Sequence, residues 1–472
     1  MGILSQIMSD YRAIKGMIEA IELATFSKDG KIITGKEREQ LVEDLAAEKK
    51  SELTQLRILL LTGVSSSYIS PVTGKEYKAS PEELKHIEER FFQAGKHSIF
   101  PQKLSRTKTL AQRSQFELYN SPSKKLLSFF IEHKSDHSYP SGSFAAKVKK
   151  AYTAADEATP NYAVKIFKKY QFTSTLHELR IAMRGAYCNR LLGRTGYAFR
   201  RNMKTYIVTD WLAGKPLCSV DPKIITAMPI QKRINLALML INEIAILHKH
   251  GIIHCDIKPE NVMLSDNALH LFDLDSVRLE TENITTLTDG PMFTPSYLDG
   301  QINYDIKRNP SCINKVLNKN SDLFSSGITL TYLFPDILLP ISEKLKISLN
   351  SKVPPDIFEY DGFLFKLNDK YKENERLGKL IGNLLDKQEN RPTTEEVHSE
   401  LSKLSNSYSV DKEVKAELKE TTPPAKLGAS SSKSRKAFID IERGRNAFIE
   451  IERELLVFGS QYDKFNESFR PS

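Results

Sequence analysis

The stretch His254-Cys255-Asp256-Ile257-Lys258-Pro259-Glu260-Asn261, with Asp273-Leu274-Asp275 a short way behind it, constrains this chain more than any other feature. It sets a potential base, a cation and two metal-type ligands in one short loop and the strand pair that follows. Charged groups at that density are costly to bury without partners, so the loop must sit between buried elements with its acids facing a cleft. One carboxylate is placed to orient a hydroxyl. The Asn and a second carboxylate are placed to hold a divalent cation. A lone His-x-Asp would mean little; the complete spacing is demanding.

The flanking sequence supplies the buried elements. Ile234 to His250 carries Ile234, Leu236, Leu238, Ile241, Ile244, Ala245 and Leu247, dense enough for a buried helix leading into the loop. Upstream, Leu126–Ile131, Phe144–Tyr152 and Tyr162–Phe167 are short runs bounded by Ser, Pro and Gly clusters, as strands are. Residues 1–110 read as a helical domain. Met8, Tyr11, Ile14, Met17, Ile18 and Ile21 form one stripe, and Leu41, Leu45, Leu53, Leu56 and Leu59 form a second on Glu37–Leu61. Ser80-Pro81-Glu82-Glu83 opens a third helix. The pattern divides the chain into a helical segment at 1–110, a strand-rich lobe at 111–210, a helical lobe at 211–405, a polar linker at 406–436 and a tail at 437–472. The tail holds a short repeat, Ala437–Arg443 against Ala447–Arg453, which reads as a docking segment or a simple tail.

At 472 residues the chain is long enough for two or three domains. No apolar run approaches the ~20 residues that a membrane span requires. Met1–Gln6 lacks the pattern of a signal peptide, and Gln6 stands where a myristoylation motif wants Ser or Thr. The four cysteines (Cys188, Cys218, Cys255, Cys312) show no metal-ligand or disulfide spacing, so a reducing, cytoplasmic setting is expected.

Taken together, these residues resemble the eukaryotic-type serine/threonine protein kinases over roughly residues 125–405. The resemblance implies an α+β, two-lobe protein-kinase-like fold with an extra N-terminal helical domain. It also implies transfer of the γ-phosphate of ATP to a protein hydroxyl. Asp256 corresponds to the catalytic aspartate, Lys258 to the lysine that steadies the transferring phosphate, and Asn261 and Asp273 to the ligands of Mg²⁺ (or Mn²⁺). Tyr162-Ala163-Val164-Lys165 matches the strand of the ATP-anchoring lysine. Glu178 is the acid expected to pair with Lys165, since no other Glu or Asp lies between Lys165 and Asp210. Ser141-Gly142-Ser143-Phe144-Ala145 stands for the glycine-rich loop, with Gly142, Ser143 and Phe144 over the phosphates. Thr209 matches the gatekeeper, and Asp210 to Leu212 offer backbone bonds to adenine between Ala163 and Met263. Thr294–Leu298 resembles the loop that receives the substrate, Asp322 the residue bracing the catalytic loop, and Asn390-Arg391-Pro392 the end of the domain.

The departures are informative too. Cys255 replaces the usual Arg, which removes the cation that a phosphorylated activation loop would pair with. Activity independent of that phosphorylation is therefore expected. Asp275 replaces a Gly, and either ligates a second ion or only makes the motif stiffer. Asp299-Gly300-Gln301 replaces Ala-Pro-Glu, so the ion pair to Arg391 is expected to be lost or reduced to a bond from Gln301. Residues 302–320 read as a basic insertion. The rival readings are a pseudokinase or scaffold, and a kinase-fold transferase with another substrate. The net charge of +9 reads as a solvated basic face around the ATP site, with a protein rather than nucleic acid as substrate. Residues 1–110 are expected either to brace the catalytic domain or to bind a protein partner. The combination is similar to effector kinases that intracellular bacteria deliver into the host cytoplasm.

Overall fold

Apolar side chains recurring every three to four residues wind the start of the chain into α1 (Ile3–Leu23), and a second run gives α2 (Gly35–Thr62). A two-residue hairpin, β1 (Ser27–Lys28) with β2 (Lys31–Ile32), joins them. The computed structural model describes residues 2–29, 31–62, 67–83, 103–110, 113–121, 124–132, 145–156, 158–167, 175–201, 204–265, 267–283, 293–309, 312–335, 338–340, 357–360, 363–367 and 375–417. The buried stripe of α1 is Ile3, Ile7, Met8, Ile14 and Ile18 with Asp10; Met17, expected on it, is 42% exposed. Leu45 of α2 is likewise exposed, whereas every residue from Leu53 to Leu60 is buried. A helix end buried on all sides is held between layers, and that is where α2 sits. The third expected helix begins at Pro81, with Ser80 and Glu83 exchanging side-chain-to-backbone bonds of 3.1 and 2.9 Å.

After α2 the chain forms β3 (Ser67–Ile69) and β4 (Glu76–Lys78), a hairpin the hydrophobic pattern had not revealed. The first lobe follows as seven antiparallel strands: β5 (Lys103–Leu110), β6 (Arg113–Ser121), β7 (Lys124–Glu132), β8 (Ala145–Tyr152), β9 (Tyr162–Phe167), β10 (Gly196–Arg201) and β11 (Lys204–Asp210). Their order across the sheet is β10-β11-β9-β8-β7-β6-β5. Sheet therefore begins inside the segment read as helical. The reason is that β5 is an edge strand rich in Lys, Arg and Thr, the composition that discourages pairing with another chain. Alternate residues serve two cores. Phe129, Val164, Phe199 and Val208 face one side, while Phe167, Ala198 and Ile207 pack with α3 (Thr175–Leu191) on the other.

The second lobe is built on α4 (Ile230–Lys249), α5 (Gly300–Arg308), the one-turn α6 (Ile313–Val316), α7 (Lys319–Thr331), α8 (Glu375–Leu384) and α9 (Thr394–Glu417). The short strands β12 (Lys215–Pro216), β13 (Ile252–Ile253), β14 (Val262–Leu264), β15 (Leu269–Leu271), β16 (Arg278–Leu279) and β17 (Glu282–Asn283) carry the loops between them. Two expectations need correction. Residues 302–320 are not simply a basic insertion: Ile302, Ile306, Ile313 and Leu317 bury themselves around Ile253, Cys255 and Leu298. Helix α9 runs on to Glu417, past the expected linker start at 406, because no helix breaker occurs before Pro423. The tail and its repeat lie outside the described residues. Among the described residues, no helix is long and apolar enough to cross a membrane.

The first helices are not set apart from the two lobes. Ile7, Ile14, Leu56 and Leu59 belong to the same continuous core as Tyr187 of α3 and Ile234, Leu240 and Ile241 of α4. Strand β17, just after the acidic turn, pairs with β3. Arg184 of α3 donates two bonds to Glu282 of that strand, at 2.6 and 2.9 Å, with both side chains buried. Gly251, at φ +64°, ends α4 where Gln55 of α2 presses so close that a Cβ would lie 1.9 Å from its Nε2. Gln55 Oε1 also accepts from the Thr281 backbone N–H at 2.9 Å.

The ion pair to Arg391, expected to be lost, is retained with a different acid. Asp299 takes the guanidinium, which also donates to the carbonyls of Asp386 (2.7 Å) and Asn320 (3.1 Å) and lies over the Phe324 ring. The acid has moved along the chain while the fold has kept its place. Asp299→Ala should strand a buried cation and lower stability by about 2–3 kcal/mol, as read by denaturant unfolding; an unchanged midpoint would mean that the pair contributes nothing.

Candidate active site

The loop carrying Asp256 is held from beneath. Asp322 on the buried helix α7 accepts from the backbone N–H groups of His254 (2.7 Å) and Cys255 (2.9 Å). His248, at the end of α4, bridges Asp322 at 2.9 Å and Thr394 at 2.7 Å through its two ring nitrogens. The brace is needed because Cys255 has φ +68°, a left-handed conformation that costs a non-glycine residue ~1–3 kcal/mol unless its surroundings enforce it. Cys255 itself is buried among the aliphatic side chains of α5 and α6, and burial pushes its thiol well above the usual cysteine range. It packs as an apolar residue. Burial likewise lowers the pKa of His254, leaving a neutral ring.

Around Asp256 the geometry is close. Thr294 Oγ1 donates to Asp256 Oδ1 at 2.7 Å and accepts from Lys258 Nζ at 2.7 Å. Lys258 Nζ also lies 2.7 Å from Asp256 Oδ2. Asn261 Nδ2 donates to the carbonyl (2.8 Å) and to Oδ2 (2.9 Å) of Asp256, which leaves its own amide oxygen available as a ligand. Thr294 was legible only as part of a substrate loop. That its hydroxyl closes a triangle with Asp256 and Lys258 could not be read from local sequence.

Asp273, at φ +59°, stands across the cleft from the loop. Its Oδ1 is 2.6 Å from Lys165 Nζ, and Asp275 Oδ2 contacts the same ammonium. Burial opposes the charge on Lys165, but the two acids outweigh it and hold its pKa above the ordinary lysine value. Burial works against Asp273 as well, yet Lys165 keeps its carboxyl below the usual range. Asp275, the more enclosed acid, is pushed up to about 7 by burial, which Lys165 only partly offsets. The expected Lys165–Glu178 pair is not made. Glu178 is buried on the first turn of α3, where the cation that feels its charge is Arg200.

Between the lobes lies a cleft of about 310 Å³ whose lining includes Ala163, Lys165, Thr209, Leu212, Met263 and Asp273. Asn261 and Asp275 reach the same space. At its rim the Trp211 N–H is taken by the Asn161 carbonyl (2.9 Å), and the Asp210 carboxylate turns away to accept from the Thr195 N–H (3.1 Å). Gly142, Ser143 and Phe144 lie outside the described residues. No group of three His, Cys, Asp or Glu side chains set to hold a metal occurs among the described residues. The Asn261 amide oxygen and the Asp273 carboxylate suit Mg²⁺ by their chemistry, since that ion is commonly held by one or two side chains together with phosphate and water.

A strand lobe and a helical lobe closing on a cleft of this chemistry define a kinase-like two-lobe fold. The protein-family model described as Protein kinase domain matches residues 141–401, more than half of the chain, and the chain belongs to the protein kinase family. It is similar to a putative serine/threonine-protein kinase of Acanthamoeba polyphaga mimivirus, 31% identical over 173 residues that are 36% of this chain and 55% of that protein. It is also similar to a probable serine/threonine-protein kinase of Clostridium acetobutylicum, 28% identical over 239 residues, 49% of this chain and 33% of that protein. The matches thus span about half or less of the length of these curated relatives. Protein kinase domains use ATP and a divalent metal, generally Mg²⁺.

Proposed function

We propose that this chain transfers the γ-phosphate of ATP to serine or threonine hydroxyls of a protein. The observation that carries this reading is the Asp256–Lys258–Thr294 triangle, in which one carboxylate is oriented by an ammonium and a hydroxyl at 2.7 Å each. Asp256 orients the substrate hydroxyl and takes up its proton as the bond to phosphorus forms. Lys258 lies where charge on the moving phosphoryl group can be met, and Lys165 anchors the α- and β-phosphates. Asn261 and Asp273 would hold Mg²⁺ or Mn²⁺, which when bound neutralises phosphate charge. Ala163, Asp210, Leu212 and Met263 frame the adenine, with Gly142, Ser143 and Phe144 above the phosphates.

Two features support activity without phosphate on the activation segment. Cys255 is sealed in the apolar cluster of α5 and α6, so the loop is braced by packing where the family uses a cation. The nearby Arg278 guanidinium already donates to the Leu317 carbonyl at 2.5 Å. The first two helices serve as a brace for α3, supported by the core they share with it. Four free thiols are in keeping with a reducing, cytoplasmic setting.

The test is label transfer from γ-labelled ATP and Mg²⁺ to a generic protein by the full chain, treated beforehand with phosphatase. Wild type is expected to label serine or threonine, and Asp256→Ala to fall by about 10²–10⁴-fold. An inactive wild type that still binds nucleotide would indicate a scaffold. Nucleotide rather than phosphate on the product would indicate a different transferase.

A further inference from the structure

We infer that Asp275, and not Glu178, is the acid that positions Lys165, so that this site is assembled without an ion pair from α3. The inference rests on the reading of the cleft as a phosphotransfer site and adds a positioning residue to it.

Three observations meet at Asp275. Its carboxylate contacts Lys165 Nζ and is 5% exposed, whereas Glu178, also described and buried, makes no ion pair with Lys165. Its turn, Leu274–Ser276, packs against α3 at Gly185, where an added Cβ would stand 3.0 Å from Asp275 Oδ1 and 3.1 Å from the Leu274 carbonyl. The chain directly beyond the turn is fastened to α3 by the buried Arg184–Glu282 bridge. Asp275 is thus fixed on both sides, and it supplies a charge where the family resemblance implies a glycine.

The electrostatics give the arrangement a purpose. Lys165 is shared by two acids. Asp273 is the acid the reaction would commit to a divalent cation. Once committed, it offers Lys165 less charge, and a buried ammonium that loses a partner is held in place less firmly. Asp275 lies on the turn that directly follows Asp273 and keeps a carboxylate oxygen against the ammonium. An acid on α3 would make Lys165 follow the position of that helix. An acid on the metal-binding turn makes it follow the turn.

The experiment compares Glu178→Gln and Asp275→Asn in the full chain, measuring steady-state transfer and nucleotide affinity separately. Trp211 is the only tryptophan in the sequence and lines the cleft, so its fluorescence reads ATP binding without turnover. Glu178→Gln is expected to keep kcat and the ATP Kd within about threefold of wild type. Asp275→Asn should lower kcat by about tenfold or more while the Kd changes by less than about threefold, a split that simple destabilisation would not produce. A loss of about tenfold in kcat for Glu178→Gln would overturn the inference, and so would an unimpaired Asp275→Asn. Should Asp275→Asn fail to fold, the Glu178→Gln result decides alone. A wild type with no transfer removes the functional reading and this inference together; transfer that depends on Glu178 removes only the inference.

Discussion

Asp322→Ala is expected to abolish phosphoryl transfer and to lower stability by about 3–5 kcal/mol, the range for removing one member of a buried charged network. The residue is 1% exposed and its side chain serves three donors: the N–H groups of His254 and Cys255 and the ring of His248. Alanine would leave two amides and an imidazole without their acceptor in a dry interior, each costing ~1–3 kcal/mol. It would also release Cys255 from its left-handed conformation, and Asp256 is the next residue. Activity and stability should therefore fall together. Urea unfolding and label transfer measured on the same preparation check this. A variant with normal stability and normal activity would show that packing by α5 and α6 holds the loop unaided.

Removal of residues 1–102 is expected to leave a chain that does not fold cooperatively. Were the first helices a free-standing domain, their loss would cost only whatever they do. Instead Leu53, Leu56, Leu59 and Leu60 are within a core shared with α3 and α4, β3 is hydrogen-bonded to β17, and Gln55 is seated on Gly251. Truncation would expose all of these partners at once. Leu56→Ala alone should cost about 2–5 kcal/mol, the usual range for a fully buried leucine. Circular dichroism melts and size-exclusion profiles of the truncated chain give the answer. A monomeric, sharply melting, active product would restore the separate-domain picture for this segment.

What could be read from sequence was what is encoded locally. The Asp256–Asn261 spacing and the strand of Lys165 are short-range features: Asn261 Nδ2 lies 2.9 Å from Asp256 Oδ2, and Lys165 stands on β9. Choices made across the fold were hidden. Lys165 selects its acids 108 and 110 residues away, and a count of nearby carboxylates pointed to Glu178 instead. Arg391 finds Asp299, 92 residues distant and two positions short of where the pattern was sought. Strand β5 escaped notice because an edge strand need not be apolar. Whether the first helices brace the lobes or bind a partner could not be read from sequence, because an amphipathic stripe says that a face is buried and not what it is buried against.

The pairing of β3 with β17 joins Ser67 and Tyr68 to Asn283 and Glu282. A nascent chain will have presented the leucines of α2 long before the ribosome releases the strand and helices that cover them. Closure over such a span is slow, and exposed apolar surface in the interval invites association with other chains. Production of this protein should accordingly respond more to the supply of holding chaperones, and to the rate of translation through the first 283 residues, than to anything done at the cleft.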